Sequence, residues 1–397
     1  MSNNVSFKYD QDTGLLTIFL SGRIDSVNSP EAGQSIQDEC DKIRPTAIHL
    51  DCDALEYISS AGLRIILRVK KACPDTVLTN VSSEVYEILE TTGFTEMMDV
   101  QKGYRRISVD GCELIGQGAN GQVYRMDRDT IVKVYRDPDS LPDIQREREL
   151  ARKAFVLGIP TAIPYDVVRV GEGYGSVFEL LNTKSFAKIL IEDPSQLEHI
   201  ARMSVDLLKI IHGTEAGPGE MPDMKAVALG WADYLKPYIP ADRYEKLHRL
   251  IDEVPFDLHI LHGDFHIKNV MLQDGEALLI DMDTLCTGNP VFEFGSVYNA
   301  YIGFGESNPS VTRTFIGVPV EQTRKLWELI TALYYEGMTD EQIEGMRKKA
   351  RIIGYTRILR RCIRREEVQT PEGKALYDIC ERKLFSLLDE VDTLLPE

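Results

Sequence analysis

Short apolar runs alternate with longer stretches of helical spacing, and the pattern changes character about 100 residues into the chain. Residues 15–20 and 47–50 read as strands, 61–71 and 83–91 as helices, and 76–78 as a short strand between those helices. That order predicts a small mixed α/β sheet with helices packed on it. Its sharpest transition is Tyr57-Ile58-Ser59-Ser60-Ala61-Gly62-Leu63, where a strand-like lead runs into serines and then an apolar helix, so Ser59 or Ser60 is the expected N-cap. Residues 101–106 carry glycine and charge without an apolar period and read as a linker, which divides the chain into 1–100 and 107–397.

Beyond the linker, two strand-like runs flank Gly116, Gly118 and Gly121, a further strand covers 130–135, and 145–157 reads as a helix. Residues 174–181 read as a strand running into a hinge. A hairpin is expected from apolar runs at 270–272 and 277–280, with Asp274-Gly275 as the kind of turn that favours positive φ. From about residue 339 the chain is helical.

Composition narrows the class. With 397 residues, 43% hydrophobic and 27% charged, the chain is of ordinary globular make-up and long enough for two or three domains. A net charge of -18 disfavours nucleic acid and anionic membranes as partners, because the summed field repels phosphates, so any phosphate site has to be local. The seven cysteines are scattered, without C-x-x-C or zinc spacing, and read as reduced thiols of a cytoplasmic protein. No apolar run approaches about 18 residues, and MSNNVSFKYD lacks a basic region followed by an apolar one, so neither a membrane span nor a secretory signal is expected.

The candidate chemistry gathers in residues 261–284, LHGDFHIKNVMLQDGEALLIDMDT. Asp264 stands five residues before Asn269, and Asp281 directly follows an apolar strand, so three side-chain oxygens converge at one end of the hairpin. One carboxylate to orient an attacking hydroxyl and two oxygen ligands for a hard cation are what phosphoryl transfer requires. His262-Gly263-Asp264 with Asn269, and Ile280-Asp281, resemble the H-G-D-x-x-x-x-N and I-D motifs of the aminoglycoside phosphotransferase and choline kinase group, distant relatives of protein kinases. Gly116, Gly118 and Gly121 complete a G-x-G-x-x-G-x-V; a strand follows where a Rossmann fold would need a helix, and Lys133 lies twelve residues after Gly121.

The resemblance implies a bilobal, protein-kinase-like α+β domain, its small lobe about 107–181 and its large lobe about 182–397, using ATP and Mg²⁺. Asp264 would be the catalytic base or orienting group, Asn269 and Asp281 would hold metal, the glycine loop would cover the phosphates, Lys133 would contact them, and backbone groups of the hinge would hold the adenine. A mid-strand lysine needs a partner: Glu149, beside an apolar stripe of Leu150, Ala154 and Leu157, is the expected one, with Glu147 the competitor. Period-two alternation would put Asp283 on the same strand face as Asp281, where it could support a second Mg²⁺. His266 is expected to orient its loop, and His212 to be structural.

The first quarter of the chain, through Thr92-Gly93-Phe94, looks like a STAS domain, the fold of anti-sigma factor antagonists. In that family the serine matching Ser60 is a phosphorylation switch; here the usual acidic residue before it is Ser59 and the usual Ser or Thr after it is Ala61. A further asymmetry is the run Lys348, Lys349, Arg351, Arg357, Arg360, Arg361, Arg364 and Arg365, with no acidic residue between 348 and 365. It reads as a solvated face paired with the protein's own carboxylates, or as a docking patch for an anionic substrate, a phosphorylated Ser60 or an acidic partner. Three function classes follow: a small-molecule kinase with a STAS sensor or scaffold, a regulatory Ser protein kinase in a partner-switching pathway, or a nucleotide-binding scaffold. Intact Asp264, Asn269 and Asp281 argue against the last.

Overall fold

The computed structural model describes residues 4–118, 121–137, 139–181 and 183–396. The chain divides into two compact units, Met1–Ser108 with Val168–Gly171, and Val109–Val167 with Glu172–Glu397. In the first, β1 (Val5–Asp10), β2 (Leu15–Ile24), β3 (Ala47–Ile58), β4 (Thr76–Val81) and β5 (Val100–Lys102) pair in chain order, β1 antiparallel to β2 and the rest parallel. Parallel neighbours need crossovers, supplied by α1 (Ser29–Ile43), α2 (Ser60–Ala72) and α3 (Ser83–Thr91). Alternation along β2 buries Leu16, Ile18 and Leu20 against Ile48 and Leu50 of β3 and Ile65, Ile66 and Val69 of α2.

Every strand and helix expected in this region is present, and β2 and β3 run longer than their apolar runs suggest. The helix α1 escapes periodicity because it buries Ser29, Ala32, Gly33 and Ile36, a face of mostly small residues with no apolar stripe. Gln101 and Lys102, read as linker, belong to β5, a three-residue edge strand too short to show alternation. Ser59 is the N-cap of α2, accepting from the Gly62 amide at 3.4 Å, and Ser60 is the exposed first helical residue. Residues 1–3 of the N-terminal segment lie outside the described residues.

The second unit begins with β6 (Glu113–Gln117), β7 (Gly121–Arg125) and β8 (Thr130–Tyr135), followed by α4 (Leu141–Val156), β9 (Pro164–Val170, of which residues 168–170 are counted in the first unit) and β10 (Gly173–Glu179). The strands lie in the order β9, β10, β8, β7, β6, and β6, β7, β8 and β10 pair antiparallel in that sheet. The helical remainder includes α5 (Leu197–His212), α6 (Met224–Leu235), the hairpin β11 (Val270–Gln273) and β12 (Glu276–Leu279), α7 (Pro290–Tyr301), α8 (Val320–Tyr334), α9 (Asp340–Arg364) and α10 (Pro371–Glu390). Sheet-bearing and helical parts make the kinase-like architecture expected. Asp274 (φ 51°) and Gly275 (φ 88°) both take positive φ between β11 and β12, as their sequence requires. At the centre sits α7, buried on every side through Val291, Phe292, Phe294, Val297, Tyr298 and Tyr301 and packed on α8 and α9. Among the described residues no helix is long and apolar enough to cross a membrane.

Candidate active site

Strand β8 delivers Lys133 between apolar neighbours, and its Nζ lies 2.8 Å from both Glu147 Oε1 and Asp281 Oδ1. Burial pushes the ammonium toward its neutral form, but the carboxylates of Glu147 and Asp281 outweigh it and hold Lys133 protonated. The second oxygen of Glu147 accepts from the Tyr135 hydroxyl at 2.5 Å, so the buried carboxylate is satisfied on both sides. Lys133 therefore ties β8, α4 and the segment after β12 together.

The expected partner, Glu149, is not the one. It is 47% exposed and pairs with Arg152 and Lys153 on its own helix. The buried face of α4 is Ile144, Glu147, Leu150, Ala151 and Ala154, and Glu147 lies near its middle. At about 100° per residue Glu149 is roughly 160° from the centre of that face. Leu150 and Ala154 thus marked the correct stripe, but it belongs to Glu147. Pro142, which looks like a breaker, sits harmlessly in the first turn, so the helix starts earlier than expected.

Asp281 departs from its expectation differently. It has φ 65° and ψ 67°, and Met282–Thr284 form a 3-10 turn, so no strand aligns Asp283 with it. The two carboxylates are nevertheless neighbours: burial, then the Asp281 and Glu147 charges, push Asp283 up to about 7. The negative charge crowded around Asp283 is what a hard divalent cation on oxygen donors would relieve, and carboxylates are the donors Mg²⁺ takes.

The loop carrying Asp264 is built on backbone contacts. Gly263 has φ 80°, and a Cβ there would come within 2.5 Å of the Thr284 carbonyl, so only glycine fits. His262 accepts the Asp264 amide at Nδ1 (3.3 Å) and faces the Ile280 carbonyl through Nε2 (3.2 Å), which fixes its tautomer. Asn269 donates to the Asp264 carbonyl at 3.2 Å. The Asp264 carboxylate lies 3.6 Å from His266 Nε2 and 3.6 Å from an Arg357 nitrogen. Burial pushes this carboxyl up, but His266 and Arg357 outweigh it and hold Asp264 well below the usual carboxylate range. His266 is buried against the Asp264 carboxylate.

Beneath the loop lies Glu293 of α7, with no exposed surface, accepting from the amides of His262 (2.5 Å) and Gly263 (3.1 Å). His212 Nε2 stands 3.8 Å from it, and His212 Nδ1 is 2.7 Å from the Tyr334 hydroxyl. Arg357 and Ser296 both donate to the Gly263 carbonyl. Sequence reading missed Glu293, Ser296 and Tyr135. The available signal was a lone glutamate inside the apolar run VFEFGSVYNAY, since charge is buried only where it is paired.

Of the glycine loop, Gly121 has a steric reason: a Cβ would lie 2.1 Å from the Val134 carbonyl across the sheet. Gly118 donates to the Gly121 carbonyl at 2.9 Å, and both Gly116 and Gly118 have room for a Cβ. Ala119 and Asn120 lie outside the described residues, as does Asn182 after the hinge.

A model of the phosphotransferase enzyme family matches residues 111–317, and a STAS domain model matches residues 6–107. The chain is 33% identical over 95 residues to BtrV of Bordetella bronchiseptica, described as an anti-sigma factor antagonist; the match covers 23% of this chain and 81% of BtrV. Among solved structures it is similar to aminoglycoside phosphotransferase APH(4)-Ia (12% identity, TM-score 0.49, 69% of this chain and 93% of that one). A choline/ethanolamine kinase family protein from Mesorhizobium loti is similar at 14% identity and TM-score 0.45, over 70% of this chain and 91% of that one.

Glu147→Gln should lower kcat/KM for nucleotide by about tenfold or more, while Glu149→Gln stays within about twofold of the parent; steady-state kinetics with ATP varied checks the order. Glu293 is held below the ordinary glutamate value of 4.5: burial raises it, but His212, His262 and the Gly263 amide outweigh that. Its stabilisation is then present above that value and lost as pH falls through the depressed one. Glu293→Gln should cost on the order of 3 kcal/mol at neutral pH. In urea unfolding followed from pH 7 to about 4, the gap between variant and parent should narrow toward the acid end.

Proposed function

The chain belongs to the phosphotransferase enzyme family, an ATP-dependent phosphotransferase with a STAS domain at its N-terminal end, and from that premise we propose that Asp264 orients the hydroxyl receiving the γ-phosphoryl group. The observation that carries this reading is the state of Asp264, a partly exposed carboxylate kept ionised by His266 and Arg357. So strongly stabilised an anion is a weak base at neutral pH, which suits it to accept a hydrogen bond from the hydroxyl, align it, and take the proton late. Lys133, fixed by Glu147, is presented for the nucleotide phosphates, and Gly116, Gly118 and Gly121 bring backbone amides over them. Asn269, Asp281 and Asp283 would hold Mg²⁺, which when bound neutralises charge on the phosphates. Lys133 would exchange its present contact with Asp281 for the phosphates.

A second reading concerns the STAS domain, and a specific observation favours it. Because Ser59 does the capping, the exposed Ser60 is spared for other chemistry at a helix N-terminus, where the backbone amides favour a phosphate. Ser60 would then be a phosphorylation switch for a protein partner, in a pathway of the anti-sigma antagonist kind suggested by BtrV, with this chain or another kinase as donor. Seven free cysteines support a reducing, cytoplasmic setting.

Asp264→Asn should leave ATP affinity within about threefold and reduce turnover by about a hundredfold or more, whereas Asp281→Ala should weaken the Mg²⁺ dependence of nucleotide affinity. Calorimetry beside a turnover assay separates the two, and equal turnover in Asp264→Asn and parent removes the assigned role. Ser60→Asp and Ser60→Ala should differ in partner capture, and mass spectrometry after growth should find phosphate on Ser60; an unmodified Ser60 with indifferent variants reduces it to a helix-start residue.

A further inference from the structure

From Asp264 a row of arginines runs along one helix, and among the described residues only the first of them is matched by an anion. Helix α9 carries Arg357, Arg360 and Arg364 three and four residues apart, so all three share one face. Arg357 is committed to Asp264, Ser296 and the Gly263 carbonyl. Much of the remaining basic run is paired: Lys348 with Glu390 (2.7 Å), Lys349 with the Leu395 carbonyl (2.6 Å), Arg351 with Glu344 (3.0 Å) and Arg361 with Glu367 (3.0 Å). Among the described residues neither Arg360 nor Arg364 has a carboxylate within ion-pair distance. On a chain with 63 acidic and 45 basic residues, two arginines without an ion-pair partner, on the helix face that carries Arg357, remain available to an anion.

Aromatic rings line the same strip. Arg357 lies 5.8 Å over Trp231, Arg360 lies 5.7 Å over Tyr234, and Tyr234 stacks on Tyr238 with centroids 6.0 Å apart, all three rings on or just past α6. The nearby acid of that helix, Asp233, is turned away, accepting from Tyr244 at 2.8 Å. Burial, then the charges of Arg364 and Arg357, hold Arg360 below the ordinary guanidinium value, as expected of cations facing one another.

We propose that this arginine and aromatic strip is the acceptor subsite, and that the acceptor is a hydroxyl compound bearing a phosphate or carboxylate group. The inference rests on the phosphotransferase reading for the identity of the reaction. Arg360 and Arg364 lie about 4.5 and 10.5 Å beyond Arg357 along the helix axis, so the anion is held further along that face than the residue that contacts Asp264. Its hydroxyl oxygen forms the new bond to the γ-phosphorus, the bond to the ADP oxygen breaks, and the hydroxyl proton is released by way of Asp264. Cationic acceptors, such as amine-rich antibiotics or choline, are repelled by the same strip.

The chain holds two tryptophans, and Trp327 is buried, so Trp231 fluorescence reports on the strip. The full-length protein is titrated at constant ionic strength with glycerol 3-phosphate, glycerate, glycerol and choline. The phosphate or the carboxylate probe should give a saturable signal, and the two arms tell which anion is preferred; glycerol and choline should give none. Arg360→Gln with Arg364→Gln should weaken anion binding about tenfold or more without altering calorimetric ATP affinity. Should the double variant misfold by circular dichroism, Arg364→Gln alone, at an exposed position, should weaken it about threefold. Choline binding as well as the anions, no saturable signal with either anion, or unchanged anion affinity in the variants overturns the proposal. Anion binding in a protein that neither binds nor turns over ATP would instead defeat the phosphotransferase reading and leave the strip standing.

Discussion

A carboxylate with no exposed surface ionises only where donors surround it, and the donors around Glu293 are the backbone amides of the loop that carries Asp264. The loop is thereby fastened to the central helix α7 by a charge that has no alternative partner in water. From this the rest follows. His212 brings α5 and, through Tyr334, α8 to the same point, while Ser296 one turn along α7 joins Arg357 of α9 on the Gly263 carbonyl. Four helices thus converge on three loop residues. Arg357, placed by that network, then joins His266 in holding Asp264 ionised.

A second buried ion pair does the corresponding work on the sheet side. Lys133 joins Glu147 and Asp281, so the strand, the helix and the segment after the hairpin are positioned by one ammonium group. Asp281 reaches it from a left-handed conformation that most residues avoid, and Gly263 holds another beside it. Strained backbone gathers where the chemistry is proposed, held by ion pairs and by a packed core.

Much of this was legible as order along the chain. Gly121, Lys133, Asp264, Asn269 and Asp281 could be picked out by spacing, and the Asp274-Gly275 turn followed from residue type alone. What failed was orientation. Choosing between Glu147 and Glu149 needed the phase of α4, and the exposed Phe155 and Val156 beside buried Ala151 and Ala154 blur that phase in the sequence. Aligning Asp283 with Asp281 assumed a strand, where a positive φ at Asp281 starts a 3-10 turn instead. Helix α1, with its face of small residues, and α7, buried on every side, carry no amphipathic signal to read.

The central claim is that this acidic chain moves the terminal phosphoryl group of ATP onto a hydroxyl. It is tested most directly by following the phosphorus itself: ³¹P NMR of the full-length protein with Mg²⁺, ATP and a fractionated small-molecule extract. The account requires the γ-phosphorus resonance to be replaced, in step with ADP, by that of a new phosphomonoester. ATP that stays intact with every fraction, or that yields only inorganic phosphate, would contradict it.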